Sequence, residues 1–180
     1  SQFNEHWASD PKVFTHFAKH YQTGEVMPQT LQDKIEKASK FNKGYDMTEL
    51  LAAALLDMHW HSLSADAPQQ DVDKFEAESL AKDKVDLAYV PPRYRSSYFQ
   101  HIWGNGYAAG YYAYLWTEML ADDAFAGITE QGGLTRENGQ KFRDQILSRG
   151  NSEDLEKLYE TWRGKAPAIE PMLKNRGLEE

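Results

Sequence analysis

Apolar residues recur at helical spacing along nearly the whole chain, with helix start and stop signals between the apolar runs. The first such segment predicts a helix that is capped by Ser9 or Asp10, has Pro11 in its first turn and stops at Gly24. A second helix is predicted from Pro28 to Gly44 by the same signals. Further helices are predicted over residues 46–63, residues 71–84, about residues 107–125, and twice within residues 134–164.

The segment "DMTELLAAALLDMHWHSL" has only a narrow polar edge, so it predicts the most buried helix of the chain. The two helices within residues 134–164 are expected to begin near Thr135 and Ser152 and to end near Gly150 and Gly164. Strand-like alternation, internal repeats and a linker of distinct composition are absent from the sequence. The pattern therefore predicts an all-α fold that forms one domain over residues 1–180.

Composition and charge limit the partners and the kinds of site that this chain can have. The 180 residues with 41% hydrophobic content are enough for a real core. The formal net charge of -8 argues against nucleic acid as a partner. No apolar run approaches the roughly 20 residues that span a bilayer, so no membrane partner is expected. The absence of cysteine excludes disulfides and thiolate metal sites, and it fits an expected cytoplasmic location.

Two histidine pairs are candidate metal ligands. His16 and His20 have the four-residue spacing of a zinc-binding helix, but Phe17 stands where a hydrolytic zinc helix needs a glutamate. His59 and His61 are two residues apart, so on a helix they point to different sides. We therefore predict no metal site within the chain and interpret both pairs as surface or packing residues.

The segment "HIWGNGYAAGYYAYLW", residues 101–116, is unusually rich in phenols. On a helix that starts near Tyr107, the side chains of Tyr107, Tyr111 and Tyr114 fall on one stripe. The glycines of "GNG" allow positive φ angles, so His101 could fold back toward that stripe. Such a group of donors suits the stabilisation of an oxyanion, although an aromatic helix interface is the interpretation that spacing alone favours.

Arg93 and Arg95 lie just before this segment, in "PPRYRSSYF". A fixed guanidinium would suit a carboxylate ligand, because its fork of N–H donors matches the two oxygens. An ordinary surface role for both arginines is the competing interpretation, and the residues alone favour it.

The chain resembles a known enzyme family over essentially its whole length. The resemblance rests on "SQFNEHW", "FNKGYDMTELLAAALLDMHWH", "VPPRYRSSYFQHIW", "HIWGNGYAAGYYAYLW" and "LTRENGQKFRDQILSRGNSEDLEKLYETWRGKAP". These segments are similar to the C-terminal part of the bacterial peptidyl-dipeptidases in the thimet oligopeptidase family of zinc metallopeptidases. The resemblance implies a helical, two-lobed enzyme of the zincin type that removes dipeptides from the C-termini of short peptides.

The resemblance also implies roles for individual residues. His101, Tyr107 and Tyr114 match the family's histidine and the two tyrosines that contact substrate and stabilise the tetrahedral intermediate. Tyr111 matches a further tyrosine that lines the substrate channel, and Arg93 or Arg95 is a candidate for binding the substrate's terminal carboxylate.

Zinc enters only through this resemblance. The family's three zinc ligands have no match in the chain, which is expected to begin just after the last of them. The implied partners are therefore peptide substrates and the N-terminal remainder of the same enzyme. The alternative is a non-catalytic helical domain for protein interaction.

Overall fold

The computed structural model describes residues 2–178, and every regular element in that range is helical. The predicted all-α fold is confirmed; the described residues add only an isolated bridge between Lys19 and Val26. In the same range no helix combines the length and the apolar character needed to cross a membrane.

Ten α-helices follow one another along the described chain. They are α1 (Gln2–Glu5), α2 (Pro11–Phe17), α3 (Gln29–Ser39), α4 (Lys43–His61), α5 (Val72–Lys82), α6 (Gln100–Trp103), α7 (Ala113–Glu130), α8 (Arg136–Phe142), α9 (Leu155–Arg163) and α10 (Glu170–Arg176). Between them lie two 3₁₀ turns, at His6–Ala8 and Ser96–Tyr98, and one π-helical turn, at Arg143–Leu147.

These elements belong to two compact units. The continuous unit is Asn42–Trp116, and the discontinuous unit combines residues 2–41 with residues 117–178. The prediction of one domain over the whole chain stays a prediction. The candidate site lies in the continuous unit.

Helix α4 contributes to both buried clusters in the core of the continuous unit. Its alanines leave little side-chain bulk, so other elements can approach the helix closely on several sides. One buried cluster joins α4 to residues 99–111, and a second cluster joins α4 to α5 and the residues just after it. The members are Ala53, Ala54, Phe99, Ile102 and Tyr111 in the first cluster and Ala52, Leu56, Leu80 and Val85 in the second. The interpretation of this helix as deeply buried is confirmed.

The connector between α5 and α6 is held by polar groups. The buried Glu76 side chain accepts the backbone N–H of Ser96 at 2.7 Å and pairs with Arg95. Trp60 Nε1 donates to Ser96 Oγ at 2.9 Å, and Trp103 Nε1 donates to the Ser96 carbonyl at 2.7 Å. These bonds tie Ser96, near the end of the connector, to α4, α5 and α6.

The discontinuous unit has a separate core in which Ala124 and Ile128 of α7 pack against Trp162 of α9. Beside it lies a buried ion pair, in which Arg163 donates to both carboxylate oxygens of Asp123 at 3.2 and 3.3 Å. Gly127 is required there, because a Cβ atom at that position would lie 2.7 Å from Arg163 Nε.

Several predicted helix boundaries are wrong. Helix α2 ends at Phe17 instead of continuing toward Gly24, and the chain then turns back at the Lys19–Val26 bridge. Helix α3 ends at Ser39, and Gly44 lies inside α4 because the break is made by Asn42, which has a φ of 55°. The capping signals thus identified the right helices but not all of their ends.

Other capping predictions hold. The Asp10 side chain accepts the N–H groups of Lys12 and Val13, and Thr135 accepts the N–H of Asn138. Gly164 ends α9 with a φ of 84°. Ser152, however, is not the cap of α9. That position is taken by Asp154, whose carboxylate accepts the N–H of Lys157 at 2.9 Å.

Candidate active site

Residues 107–112, here called the tyrosine turn, are not helical. Helix α7 begins only at Ala113, so the predicted helix start near Tyr107 is wrong. Gly106 and Ala109 have φ angles of 80° and 53°, which interrupt a right-handed helix. Short-range bonds replace the helical ladder: the Gly110 N–H donates to the Tyr107 carbonyl at 2.8 Å, and the Ala113 N–H donates to the Gly110 carbonyl at 3.0 Å.

The expected convergence of rings is nevertheless present in the structure. The His101 ring centroid lies 5.9 Å from that of Tyr107, 5.6 Å from that of Tyr111 and 6.3 Å from that of Tyr114. Tyr107 and Tyr114 stack with centroids 5.4 Å apart and an angle of 18° between the ring planes. Tyr94 joins the group, with its ring 4.9 Å from that of His101. We call these five residues the aromatic cluster.

Members of the aromatic cluster differ in exposure. Tyr107 is exposed, while Tyr114 and His101 are half-buried. Tyr111 is only 2% exposed, and its ring packs edge-on against Phe99 at 4.8 Å. Tyr111, which is predicted to line the substrate channel, therefore lies in the core and is less accessible than His101, Tyr107 and Tyr114. Substrate contact by Tyr111 stays a prediction.

The phenols are held in their neutral form. Burial, together with the neighbouring Tyr94, raises the pKa of Tyr111 to about 12. A hydrogen bond with the Tyr107 side chain, assisted by burial, raises the pKa of Tyr114 above its ordinary value. At neutral pH both hydroxyls keep their protons, and such hydroxyls can donate hydrogen bonds.

The raised pKa of Tyr111 makes stability depend on pH. Folding favours the protonated phenol, so this stabilisation is complete below the ordinary pKa of 10.0 and is lost as the pH rises toward about 12. We expect Tyr111→Phe to make the free energy of unfolding fall less steeply over that interval. Denaturant unfolding at a series of pH values measures the slope. Tyr89→Phe, at a residue that is 92% exposed, should keep the parental slope. Equal slopes for the parent and Tyr111→Phe would contradict the assignment.

The structure separates the two candidate arginines. Arg93 donates from Nη1 to Glu49 Oε1 at 3.0 Å. Burial alone would lower the pKa of Arg93, but the nearby Tyr111 and Glu49 outweigh it and raise the pKa above its ordinary value. Arg95 instead pairs with the buried Glu76 carboxylate, which also holds the connector. Arg93 is thus the arginine beside the aromatic cluster.

The first histidine pair does not form a metal site. His16 lies on α2, but His20 lies beyond the end of that helix, so the predicted four-residue helical spacing is not realised. His20 Nδ1 accepts the backbone N–H groups of Gln22 and Thr23 at 3.3 and 3.2 Å. Its ring therefore caps a turn.

The second pair is divided between two carboxylates. His59 Nε2 lies 2.7 Å from Asp83 Oδ2, and His61 Nδ1 lies 2.7 Å from Asp57 Oδ1. Among residues 2–178 no group of three or more histidine, aspartate or glutamate side chains could hold a metal ion. The described residues do not fit a zinc site.

Sequence reasoning missed Asp57 and Tyr94. Asp57 is fully buried on α4, and its carboxylate binds the backbone of the tyrosine turn. The available signal was a single acidic residue inside the apolar run "LLAAALLDM", four residues before a histidine. Tyr94 lay between the two candidate arginines and stacks on Phe99 with an interplanar angle of 13°. No spacing rule links it to the later tyrosines.

Comparison with known sequences decides the family. The sequence profile described as Peptidase family M3 matches residues 1–178. The chain belongs to peptidase family M3. The predicted resemblance to a peptidase family is thereby confirmed.

Relatives within family M3 have different names and degrees of identity. The chain is 65% identical over 178 residues to a protein of Escherichia coli named dipeptidyl carboxypeptidase, covering 99% of this chain and 26% of that protein. It is 38% identical over 182 residues to oligopeptidase A of the same organism, with 99% and 26% covered. It is 28% identical over 181 residues to saccharolysin of Saccharomyces cerevisiae, with 99% and 25% covered. The chain spans about a quarter of the length of these relatives.

Proposed function

We propose that this chain is the substrate-binding and oxyanion-stabilising part of a zinc metallopeptidase that releases dipeptides from the C-termini of peptides. The observation that carries the proposal is the convergence of His101, Tyr107 and Tyr114 at a partly exposed place beside Arg93. The name of the relative with 65% identity supports the dipeptide-releasing activity. We call the protein that contains this chain the whole peptidase.

In this proposal His101, Tyr107 and Tyr114 are the catalytic residues. Hydrolysis of a peptide bond passes through a tetrahedral intermediate whose oxygen carries negative charge. Fixed N–H and O–H donors aimed at that oxygen lower the barrier, because they interact more strongly with the transition state than with the substrate. The Tyr114 hydroxyl is protonated at neutral pH, as this role requires, because its pKa lies above the ordinary value of 10.0. Its hydrogen bond with Tyr107 holds the two hydroxyls next to each other.

Substrate binding is assigned to Arg93, with Arg95 and Tyr111 as weaker candidates. The Arg93 side chain is 52% exposed and engages Glu49 through Nη1. A guanidinium has five N–H donors, so it can bind a second carboxylate at the C-terminus of a peptide. Arg95 spans from the surface to the buried Glu76, which favours a structural role.

Zinc is proposed as the cofactor of the whole peptidase, held by residues outside this chain. Its proposed partners are peptide substrates and the remainder of the same protein, in the cytoplasm. The proposed catalytic and substrate-binding roles, by contrast, belong to residues of this chain.

A peptidase assay tests the proposal. The whole peptidase should release dipeptides from the C-terminus of a short peptide, identified by mass spectrometry. It should cleave the same peptide with an amidated C-terminus much more slowly, because the amide removes the charge that an arginine would bind. Absence of cleavage, or release of products other than dipeptides, would contradict the proposed activity.

The chain produced by itself is expected to bind no stoichiometric zinc and to cleave no peptide. The reason is that its described residues contain no group of three metal-binding side chains. Elemental analysis after dialysis measures the metal, and the same peptide assay measures the activity. One tightly held zinc ion per chain together with cleavage would show that the metal site lies within the chain.

A helical interaction domain is the second candidate function. Helix α3 has no buried residue, and its apolar side chains Leu31 and Ile35 are 46% and 52% exposed. Leu31 and Ile35 are four residues apart on the helix, so their side chains lie on the same face, which another protein could cover. Dipeptide release by the whole peptidase would reject a purely non-catalytic role.

A further inference from the structure

Asp57 connects helix α4 to the tyrosine turn. Its Oδ1 accepts the backbone N–H of Ala109 at 3.0 Å, and its Oδ2 accepts the backbone N–H of Tyr111 at 2.9 Å. One carboxylate therefore holds both amides that flank Gly110. The residue is 0% exposed, so water does not compete for these bonds.

His61 completes the set of partners around this carboxylate. It follows Asp57 by one helical turn, and its Nδ1 lies 2.7 Å from Asp57 Oδ1 and 3.0 Å from the Asp57 carbonyl oxygen. Its ring lies 5.6 Å from that of Trp103. A buried carboxylate is costly unless its oxygens are bonded, and here two backbone amides bond them while the His61 ring lies against Oδ1.

The tyrosine turn needs such a support. Ala109 has a φ of 53°, a left-handed conformation that a residue with a Cβ atom adopts at a cost in conformational energy. A strained residue of this kind persists only where the surrounding structure holds it in place. The bond from Ala109 to Asp57 acts at that residue, and the bond from Tyr111 acts two residues later.

We propose that Asp57, oriented by His61, is a positioning residue that holds the tyrosine turn and thereby aims Tyr107 and Tyr114. The Gly110 N–H donates to the Tyr107 carbonyl, and the Tyr114 N–H donates to the Tyr111 carbonyl at 3.3 Å. Both tyrosines are thus bonded directly to the stretch that Asp57 holds. The catalytic consequence rests on the proposed function, while the support of the turn does not.

The support is tested by hydrogen exchange on the whole peptidase, resolved over residues 107–113. In the parent, the amides of Ala109 and Tyr111 should exchange about a hundredfold or more slowly than unprotected amides, although they lie outside any helix. Asp57→Asn keeps the size of the side chain but turns one acceptor into a donor that faces a backbone N–H. It should speed exchange at these amides about tenfold or more.

Asp123→Asn is the matched control, because Asp123 is also 0% exposed and binds buried partners in the discontinuous unit. It should leave exchange at Ala109 and Tyr111 as in the parent. In the peptide assay, Asp57→Asn should lower kcat about tenfold to a hundredfold with a small change in KM. The reason is that hydroxyl donors that no longer point at the oxyanion stabilise the transition state less. Asp123→Asn should keep the parental kcat.

Each result decides one part of the proposal. Unprotected amides at Ala109 and Tyr111 in the parent would overturn it even if Asp57→Asn fails to fold. Faster exchange in Asp57→Asn with a parental kcat would confirm the support and overturn the positioning role. A whole peptidase without any peptidase activity would contradict the proposed function, while the exchange result would still decide the support of the turn.

Discussion

Replacing Tyr114 with phenylalanine in the whole peptidase is expected to lower kcat about a hundredfold or more, with a small change in KM. The change keeps the ring, which stacks on that of Tyr107 and whose centroid lies 5.0 Å from the ring centroid of Tyr111. It removes the hydroxyl and its hydrogen bond with Tyr107. A donor that acts only in the transition state affects kcat, whereas one that binds substrate and transition state equally affects KM. Steady-state kinetics on a short peptide measure both constants.

Tyr112→Phe is the matched control for this prediction. Tyr112 lies two residues earlier, is 51% exposed and is not part of the aromatic cluster. Its kcat should stay within a fewfold of the parent, and thermal melting should show both variants folded. A parental kcat for Tyr114→Phe would end the oxyanion assignment and leave the aromatic cluster with a structural role.

Asp123→Ala is expected to lower the free energy of unfolding of the chain by about 3–5 kcal/mol. The substitution leaves the buried Arg163 guanidinium without the carboxylate that accepts its Nε and Nη2 donors. It also removes the acceptor of the Tyr159 hydroxyl, which lies 2.6 Å from Asp123 Oδ2. Of its described partners, Arg163 then keeps only the mostly exposed Glu130, and a poorly compensated buried charge is among the costliest changes in a core. Denaturant unfolding followed by helical circular dichroism measures the loss.

Glu130→Ala tests whether burial is the cause. Glu130 also pairs with Arg163, at 3.0 Å, but its side chain is 60% exposed. Loss of such a pair should cost about 1 kcal/mol or less, because the Glu130 carboxylate is largely solvated and Arg163 keeps Asp123 as its buried partner. Equal losses for Asp123→Ala and Glu130→Ala would show that the ion pair has no special value in the core.

Sequence pattern predicted the helices well where a local signal decides them. Asp10 and Thr135 cap helices because their side-chain oxygens reach the first free N–H groups, which requires only neighbours in sequence. The apolar run of α4 predicted a buried helix, because a helix that is apolar on most of its sides is stable only when other elements cover it. Predicted helix boundaries were wrong where a residue other than glycine makes the break. Asn42, whose left-handed φ is 55°, separates α3 from α4.

The candidate site shows the same division. The spacing of Tyr107, Tyr111 and Tyr114 predicted that they lie together on one face of a helix. In the structure their rings do converge, but Tyr107 and Tyr111 lie on a turn that is not helical. The resemblance of "HIWGNGYAAGYYAYLW" to a known family predicted roles for His101, Tyr107 and Tyr114 without any knowledge of that turn. Their roles in catalysis stay predictions.

By itself, the sequence determined the all-α class, the caps at Asp10 and Thr135 and the family, because each depends on residue identity and short-range order. Only the tertiary structure decided the path of the tyrosine turn and the burial of Tyr111. Asp57 lies 52 and 54 positions before the amides of Ala109 and Tyr111 that it binds. No local pattern encodes a hydrogen bond over that separation, since it forms only when packing has brought α4 and the turn together.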